Sequence, residues 1–248
     1  MTPKMRLVAA LALVSLVAAQ APIPARPDGV GYGSLAAPAQ LEAFFDVLCP
    51  DSKAAHPTLL ELMKHYTAEE LRITYHLFPL PYHQHAFVGA QSVKVSQSFK
   101  NISTVDYFSS VFEHQAEFSN AADNKTKEEA QSMFAELAAH TFGVSESDFL
   151  KGLQDANENW NTRVSWKYAC SRGVTGTPQF LINGVMVEAQ PSWTVKDWTT
   201  LLDPIVHPPV FQTLDVCPHG ETKCTYLPGK SECCTAGESC IPNVGCRC

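Results

Sequence analysis

Nine cysteines are divided one, one and seven along the chain. Cys49 and Cys170 stand alone, whereas Cys217, Cys224, Cys233, Cys234, Cys240, Cys246 and Cys248 crowd the last 32 residues. As a thiolate, cysteine is a nucleophile or a metal ligand; paired, it is a covalent staple. An odd total leaves at least one thiol without an intramolecular partner where the environment oxidises. Cys49, in the run Cys49-Pro50-Asp51-Ser52, is the candidate nucleophile. Metal chemistry is not expected: His76, His83 and His85 flank the Pro79-Leu80-Pro81 turn, but His83-x-His85 supplies two ligands where zinc takes about four. The pair reads as polar surface residues.

The N-terminus sets the expected compartment. Lys4 and Arg6 precede an apolar run, Leu7 to Ala19, that is too short to span a bilayer and ends in the small residues Val17-Ala18-Ala19, the pattern of a cleaved secretory signal. Cleavage after Ala19 removes two cations and takes the formal charge from −7 to −9. That charge argues against nucleic acid as a partner, and no membrane segment is expected in the mature form. Asn101-Ile102-Ser103 and Asn124-Lys125-Thr126 are N-glycosylation sequons, expected at the surface. The last residues, Cys246-Arg247-Cys248, are not a retrieval signal. Secretion is therefore expected, with the endoplasmic reticulum lumen as the other location.

The elements that must position Cys49 follow from periodicity. Leu41 to Leu48 is a largely apolar run of strand length. After it, Ala55, Leu59, Leu62, Met63 and Tyr66 share one helical face, with Pro50 at the first helical position, where its missing N–H costs nothing. Cys49 thus sits at a helix N-terminus. Leu71 to Phe78 alternates as a strand. From about His83 to Arg172 the pattern is helical, clearest where the capping box Thr126…Glu129 opens a helix closed by Gly143. Another helix starts at Ser145…Asp148, and Trp160, Val164 and Tyr168 share one helix face before Gly173 breaks the pattern. Gln179 to Val187 is two apolar runs about Asn183-Gly184, a hairpin signal. Thr194…Asp197 starts a last helix with Trp198, Leu201 and Leu202 inward, and Pro204, Pro208 and Pro209 mark a linker.

The order strand, Cys-Pro-x-Ser, helix, strand, helical block, Gly176-Thr177-Pro178, hairpin, helix resembles the DsbA-like branch of the thioredoxin superfamily. The resemblance implies an α/β thioredoxin-like fold with an inserted helical block over residues 38–203. It also implies a nucleophilic Cys49 and a cis-proline, Pro178, facing it across a groove, with Pro57 matching a proline of the active-site helix. A cysteine at a helix N-terminus gains thiolate character from the backbone N–H groups and the dipole, and the Thr177 backbone is free to pair with an extended substrate. Cys49, Ser52 and Pro178 are the candidate catalytic residues; Pro50, Asp51 and Thr177 are the candidate substrate-binding residues.

One departure from the family pattern alters the chemistry. Ser52 stands where the family carries its second cysteine, so no disulfide forms within the motif. A mixed disulfide at Cys49 then needs a thiol from the client, from glutathione or from a partner. Asp51 places a negative charge beside the sulfur, which disfavours the thiolate. The expected function is a thiol–disulfide oxidoreductase or isomerase-like activity on protein or peptide clients through one cysteine. It needs no cofactor, with glutathione as a candidate thiol donor. A non-enzymatic peptide-binding or chaperone-like module and a glutathione-dependent isomerase or transferase are the alternatives. Cys170 could resolve Cys49, but it reads as a core residue or the partner of a tail cysteine.

The full division reads as signal peptide 1–19, Pro/Gly-rich lead 20–37, α/β domain 38–203, linker 204–216 and cysteine-rich module 217–248. A 32-residue module lies below the roughly 40-residue limit for unaided folding and needs staples. Its spacing is similar to knottin modules, with some likeness to granulin repeats, which implies docking to an extracellular protein. Three bridges among six tail cysteines, a fourth from Cys170 to the seventh and a free Cys49 account for all nine, while the connectivity stays open.

Overall fold

The computed structural model describes residues 21–119, 124–208, 217, 220–227, 229–242 and 244–247. The expected signal peptide, most of the 204–216 linker and Cys248 lie outside these residues. The chain divides into two units, one up to Leu202 and one from Asp203.

The first unit is built on a five-stranded sheet: β1 (Val30–Tyr32), β2 (Ala39–Phe45), β3 (Leu71–Leu77), β4 (Gln179–Ile182) and β5 (Val185–Val187), in the order β1-β3-β2-β4-β5. Only β2 and β3 pair in parallel, with Phe44 opposite His76; every other pair is antiparallel. Parallel neighbours need a crossover, and α1 (Pro50–His65) supplies it. The β4–β5 hairpin turns at Asn183 and Gly184, with φ of 49° and 83°. Two successive positive φ values explain the Asn-Gly pair there.

Alternation along the strands sends side chains to two faces. Phe45, Tyr75 and Phe180 meet His56 of α1, Phe112 of α3 (Thr104–Glu113) and Trp198 of α8 (Val195–Val206). Glu42, Phe44 and His76 meet α7 (Ala156–Ser171) through Tyr168, with Arg172 just beyond the helix end. The result is a three-layer core around a sheet buried on both faces. Burying a side chain such as Leu59 or Leu62 of α1, both fully enclosed, contributes roughly 1.5–3 kcal/mol.

The helical block is completed by α2 (Ala86–Ser96), α4 (Gln115–Phe118), α5 (Lys127–Phe142) and α6 (Glu146–Gln154). Thr126 and Glu129 form the reciprocal capping box, Gly143 ends α5 at φ 66°, and Ser145 caps α6. Gly89 of α2 is a packing requirement, since a Cβ there would lie 2.6 Å from Val47 Cγ2. That helix is pressed against the turn before Cys49.

Several expectations need correction. The lead assigned to residues 20–37 is part of the fold: β1 pairs with β3, and Asp28 bonds to His76 Nδ1 at 2.8 Å. Pro204 lies inside α8, not in a linker. Leu201 is 38% exposed and Trp160 56% exposed. Positions 160 and 168 are about 80° apart around a helix of 3.6 residues per turn, which turns Trp160 off the line of Tyr168 and toward solvent. His85 is buried, and His83 is tied to Asp46, so the His-x-His pair is not a free surface pair.

In the unit from Asp203, β6 (Thr222–Leu227) pairs with β7 (Lys230–Cys234), and β8 (Ser239–Ile241) with β9 (Gly245–Arg247). Three disulfides join Cys217 to Cys233, Cys224 to Cys240 and Cys234 to Cys246. Its buried centre is Cys224, Cys234 and Cys246 with Tyr226 against them. Cys170 is a free thiol, which corrects the expected bridge from it to the tail. The reason is its setting: it packs on the apolar cluster that contains Cys49. No helix among the described residues is long and apolar enough to cross a membrane.

Candidate active site

Cys49 is the N-cap of α1, extended at φ −77° and ψ 124°, and its carbonyl accepts the first helical bond from Lys53 N at 3.1 Å. The side chain makes no cap bond. Its thiol instead donates to the carbonyl of Thr177 at 3.4 Å, and Thr177–Pro178 is the one cis peptide among the described residues. Residues 128 positions apart are thereby joined. Cys49 is only 4% exposed and belongs to a buried cluster with Phe44, Phe78, Leu80, Ala169, Val174 and Leu181.

Ser52 is fully buried in the first turn of α1, and its Oγ has no hydrogen-bond partner; neither has Thr177 Oγ1. Two unused hydroxyls therefore belong to the residues that flank the thiol in sequence and in space. Pro50 and Asp51 are exposed at the helix start. Pro57 lies inside α1 on its exposed side, where its missing N–H leaves the Lys53 carbonyl to solvent. Cys49, Pro50, Asp51, Ser52, Thr177 and Pro178 are thus brought together. Cys170 is half-buried on the edge of the same cluster, where burial pushes its thiol pKa up against the opposing pull of Lys167.

Two residues absent from the sequence reading build the turn that presents the thiol. Asp46 is buried; its Oδ1 accepts from Leu48 N at 2.9 Å, and its Oδ2 accepts from Leu80 N at 2.9 Å and pairs with His83 Nδ1 at 2.7 Å. That hydrogen bond raises the His83 pKa. Gln115 donates from Nε2 to the carbonyls of Val47 and Cys49, both at 3.0 Å. A signal for Asp46 was present: an acidic residue inside the apolar run Phe44 to Leu48 must find partners if it is buried.

Family membership follows from a comparison with known domains: a thioredoxin family model matches residues 25–204. The chain belongs to the thioredoxin family. Solved structures with the same fold include a putative protein-disulfide isomerase from Pseudomonas syringae, at 18% identity and a TM-score of 0.62 over 71% of this chain and 98% of that one. Wolbachia pipientis alpha-DsbA1 aligns at 17% identity and a TM-score of 0.58, over 74% and 94%. Pseudomonas aeruginosa DsbA aligns at 19% and 0.50, over 73% and 88%. No curated protein matches the chain by sequence. In this member of the thioredoxin family the fold is the DsbA-like one, with a disulfide-bonded segment following it.

A second buried constellation lies under the same sheet. His76 of β3 stacks on Phe44, with ring centroids 4.6 Å apart, and on Tyr168, at 5.2 Å, and those two rings are themselves 6.5 Å apart. Its Nε2 lies 3.3 Å from Glu42 Oε2 at an alignment that makes an ion pair and not a hydrogen bond. Asp28 also accepts from Ser165 Oγ at 2.9 Å and Lys94 Nζ at 3.3 Å, and Arg172 holds Glu42 at 3.0 Å. Burial pulls the His76 pKa down, but Asp28 and Glu42 outweigh it and the net shift is up. Burial likewise opposes ionisation of Asp28, yet His76 and Lys94 hold its carboxyl at about 2. The cluster fastens the lead segment to the sheet.

In the tail, the sulfurs of Cys224, Cys234 and Cys246 lie within 4.8 Å of one another. All three are in disulfides, so they offer no thiolate to a metal.

Proposed function

We propose that the protein is a secreted thiol–disulfide exchange protein of isomerase-like type, acting on protein or peptide clients through Cys49 alone. The observation that carries the reading is a single thiol at a helix start, in contact with the Thr177 carbonyl, with Ser52 in place of a second sulfur. Once deprotonated, Cys49 attacks a client disulfide R–S–S–R′, forming Cys49–S–S–R and releasing R′–S⁻. A second thiolate, from the client or from glutathione, then attacks the mixed disulfide and returns Cys49. No net oxidation occurs on the protein, and no cofactor is needed. The names of the structural neighbours, a putative protein-disulfide isomerase and DsbA proteins, support this class.

Secretion and glycosylation belong to the same proposal. Asn124 is exposed, as is Asn101, although Asn101 Nδ2 donates to the Phe142 carbonyl at 2.9 Å. The tail is read as a disulfide-stapled, knottin-like module for docking an extracellular protein. The enclosure of Cys49 favours a second reading, a non-enzymatic peptide-binding or chaperone-like module with an inert thiol. A glutathione-dependent isomerase or transferase is a third.

Stopped-flow exchange with a chromophoric disulfide separates them. Wild type should accumulate a mixed disulfide when free thiol is scarce and release it when thiol is added. Ser52→Cys should shorten that lifetime, because attack becomes intramolecular and gains a large effective concentration. Cys49→Ala should lose the reaction while keeping its fold. Equal rates for wild type and Cys49→Ala would remove the exchange reading and leave the binding module.

A further inference from the structure

Beside the thiol, α7 and the loop after β3 line a groove. Its first lobe, of about 390 Å³, is lined by Pro79, Leu80, Pro81, Phe87, Arg163 and Trp166, among others. The second, of about 240 Å³, shares Arg163 and Trp166 and adds Trp160, Lys167 and Pro22. Spacings of three and four residues put Trp160, Arg163, Trp166 and Lys167 on one side of α7, which accounts for the exposure of Trp160. Leu80 and Trp166 also pack on the cluster around Cys49, and Trp166 stacks on Phe78 at 6.0 Å. The groove therefore runs up to the wall of the thiol site.

Its charge is the opposite of the chain's. The sequence carries −7, yet no carboxylate lines either lobe. Arg163 lies over the Phe87 ring at 5.4 Å and bonds Asn159, and Lys167 lies over the Trp166 ring at 5.4 Å. Among the described residues neither cation has a carboxylate partner. At about 0.1 M salt the screening length is about 10 Å, so a ligand in the groove is governed by these two cations more than by distant acidic residues. Pro22 of the chain's own lead adds an apolar ring to the lining of the second lobe.

We propose that this groove binds an acidic peptide segment of the client, with its carboxylates on Arg163 and Lys167 and an apolar or proline residue on the Trp166–Phe87 shelf, so that the client's sulfur is delivered to Cys49. The proposal rests on the exchange reading above and adds the client's charge class to it. In the delivering step the Cys49 thiolate attacks the client sulfur, the client's S–S bond breaks, and the departing thiolate takes up the proton that Cys49 gave to solvent.

The test uses the full chain and two acetylated, amidated peptides, Glu-Pro-Cys-Glu and Lys-Pro-Cys-Lys, each activated as a mixed disulfide with pyridine-2-thiol. The acidic reporter should react about tenfold faster than the basic one at low salt, the expectation for two exposed ion pairs. The gap should close as salt rises. Arg163→Glu with Lys167→Glu should invert the preference, and Lys167→Glu alone, which leaves the Arg163–Phe87 stack intact, should weaken it. The rate of each variant with uncharged dipyridyl disulfide normalises its peptide rates for any change in the thiol itself. Equal rates for the two peptides, or an acidic preference that survives in the double variant, overturns the proposal. Binding of a serine analogue of the acidic peptide to Cys49→Ala protein, followed by tryptophan fluorescence, is independent of exchange. Charge-dependent binding there, with Cys49 inert to every reporter, would sink the exchange reading and keep the groove; no binding there would sink the groove itself.

Discussion

Cysteine is used in opposite ways in the two units. In the segment from Asp203 the sulfurs are the core: Cys224, Cys234 and Cys246 are buried, and all are oxidised. In the larger unit Cys49 and Cys170 are both free, and the core is a sheet covered on two faces by Leu, Phe, Tyr and Trp side chains. The difference follows from size. A chain long enough to bury a sheet needs no staple and can keep a thiol reduced for chemistry, whereas a short segment must use its cysteines for stability. The same element is therefore a staple in one unit and a free thiol in the other.

The most drastic way to break this comparison is reduction. The tail disulfides close loops of 16, 16 and 12 residues by sequence separation, and loops of that length each stabilise by about 3 kcal/mol in the chain-entropy account. Losing all three should unfold the tail while the larger unit stays folded. Hydrogen exchange with and without a phosphine reductant measures this. Tail amides that stay protected after reduction would show that the segment has a core beyond its sulfurs.

The position of Cys49, its helix and the Thr177-Pro178 loop were readable because each is announced locally: a Cys-Pro at the end of an apolar run, an Asn-Gly hairpin, capping residues. What supports the site was not readable. Asp46 finds partners at Leu80 and His83, Gln115 reaches back to Val47 and Cys49, and Asp28 meets His76. Each pairing spans dozens of residues and has no periodic signature. Cys170 was misassigned for the same reason: counting cysteines gives parity, but only packing shows that α7 turns this one toward the Cys49 cluster and not into a bridge.

A second comparison, between two buried histidines, can be sharpened by pH. His56, against one face of the sheet, bonds only neutral groups, Ser109 Oγ at 2.8 Å and Tyr75 OH at 3.3 Å, and burial pulls its pKa down to about 4. Its folded value lies below the unfolded one near 6.5. The unfolded chain therefore binds the proton more readily, and stability present above pH 6.5 is lost as pH falls toward 4, on the order of 3 kcal/mol. His76, on the other face between Asp28 and Glu42, is raised despite its burial. Its contribution is complete below pH 6.5 and is lost as pH rises through the folded value. Chemical denaturation from pH 4 to 9 should show stability rising and then falling. His56→Gln should flatten the acid limb alone, and His76→Gln the alkaline limb alone. An alkaline limb unchanged in His76→Gln would mean that the Asp28 and Glu42 cluster does not hold a protonated imidazole.

The smallest expected effect concerns the turn that presents the thiol. Gln115 donates to both the Val47 and Cys49 carbonyls, so Gln115→Leu leaves two acceptors beside the Cys49 side chain without that partner. A lost bond to a buried carbonyl costs about 1 kcal/mol, and the leucine recovers part of the cost by filling the same space. Global stability should fall by about 1–2 kcal/mol, well below the loss on reducing the tail. The reactivity of Cys49 should change more visibly, because Gln115 fixes the backbone on which the sulfur is mounted while the core beneath stays packed. Gln115→Glu separates position from charge: its carboxylate cannot donate to those carbonyls and adds negative charge near the sulfur, so exchange should slow further than in Gln115→Leu, and the gap between the two variants should narrow as the carboxyl protonates in acid. Stopped-flow exchange at matched stability distinguishes the cases. Wild-type rates in both variants would show that the cap geometry of α1 positions Cys49 without help from the helical block.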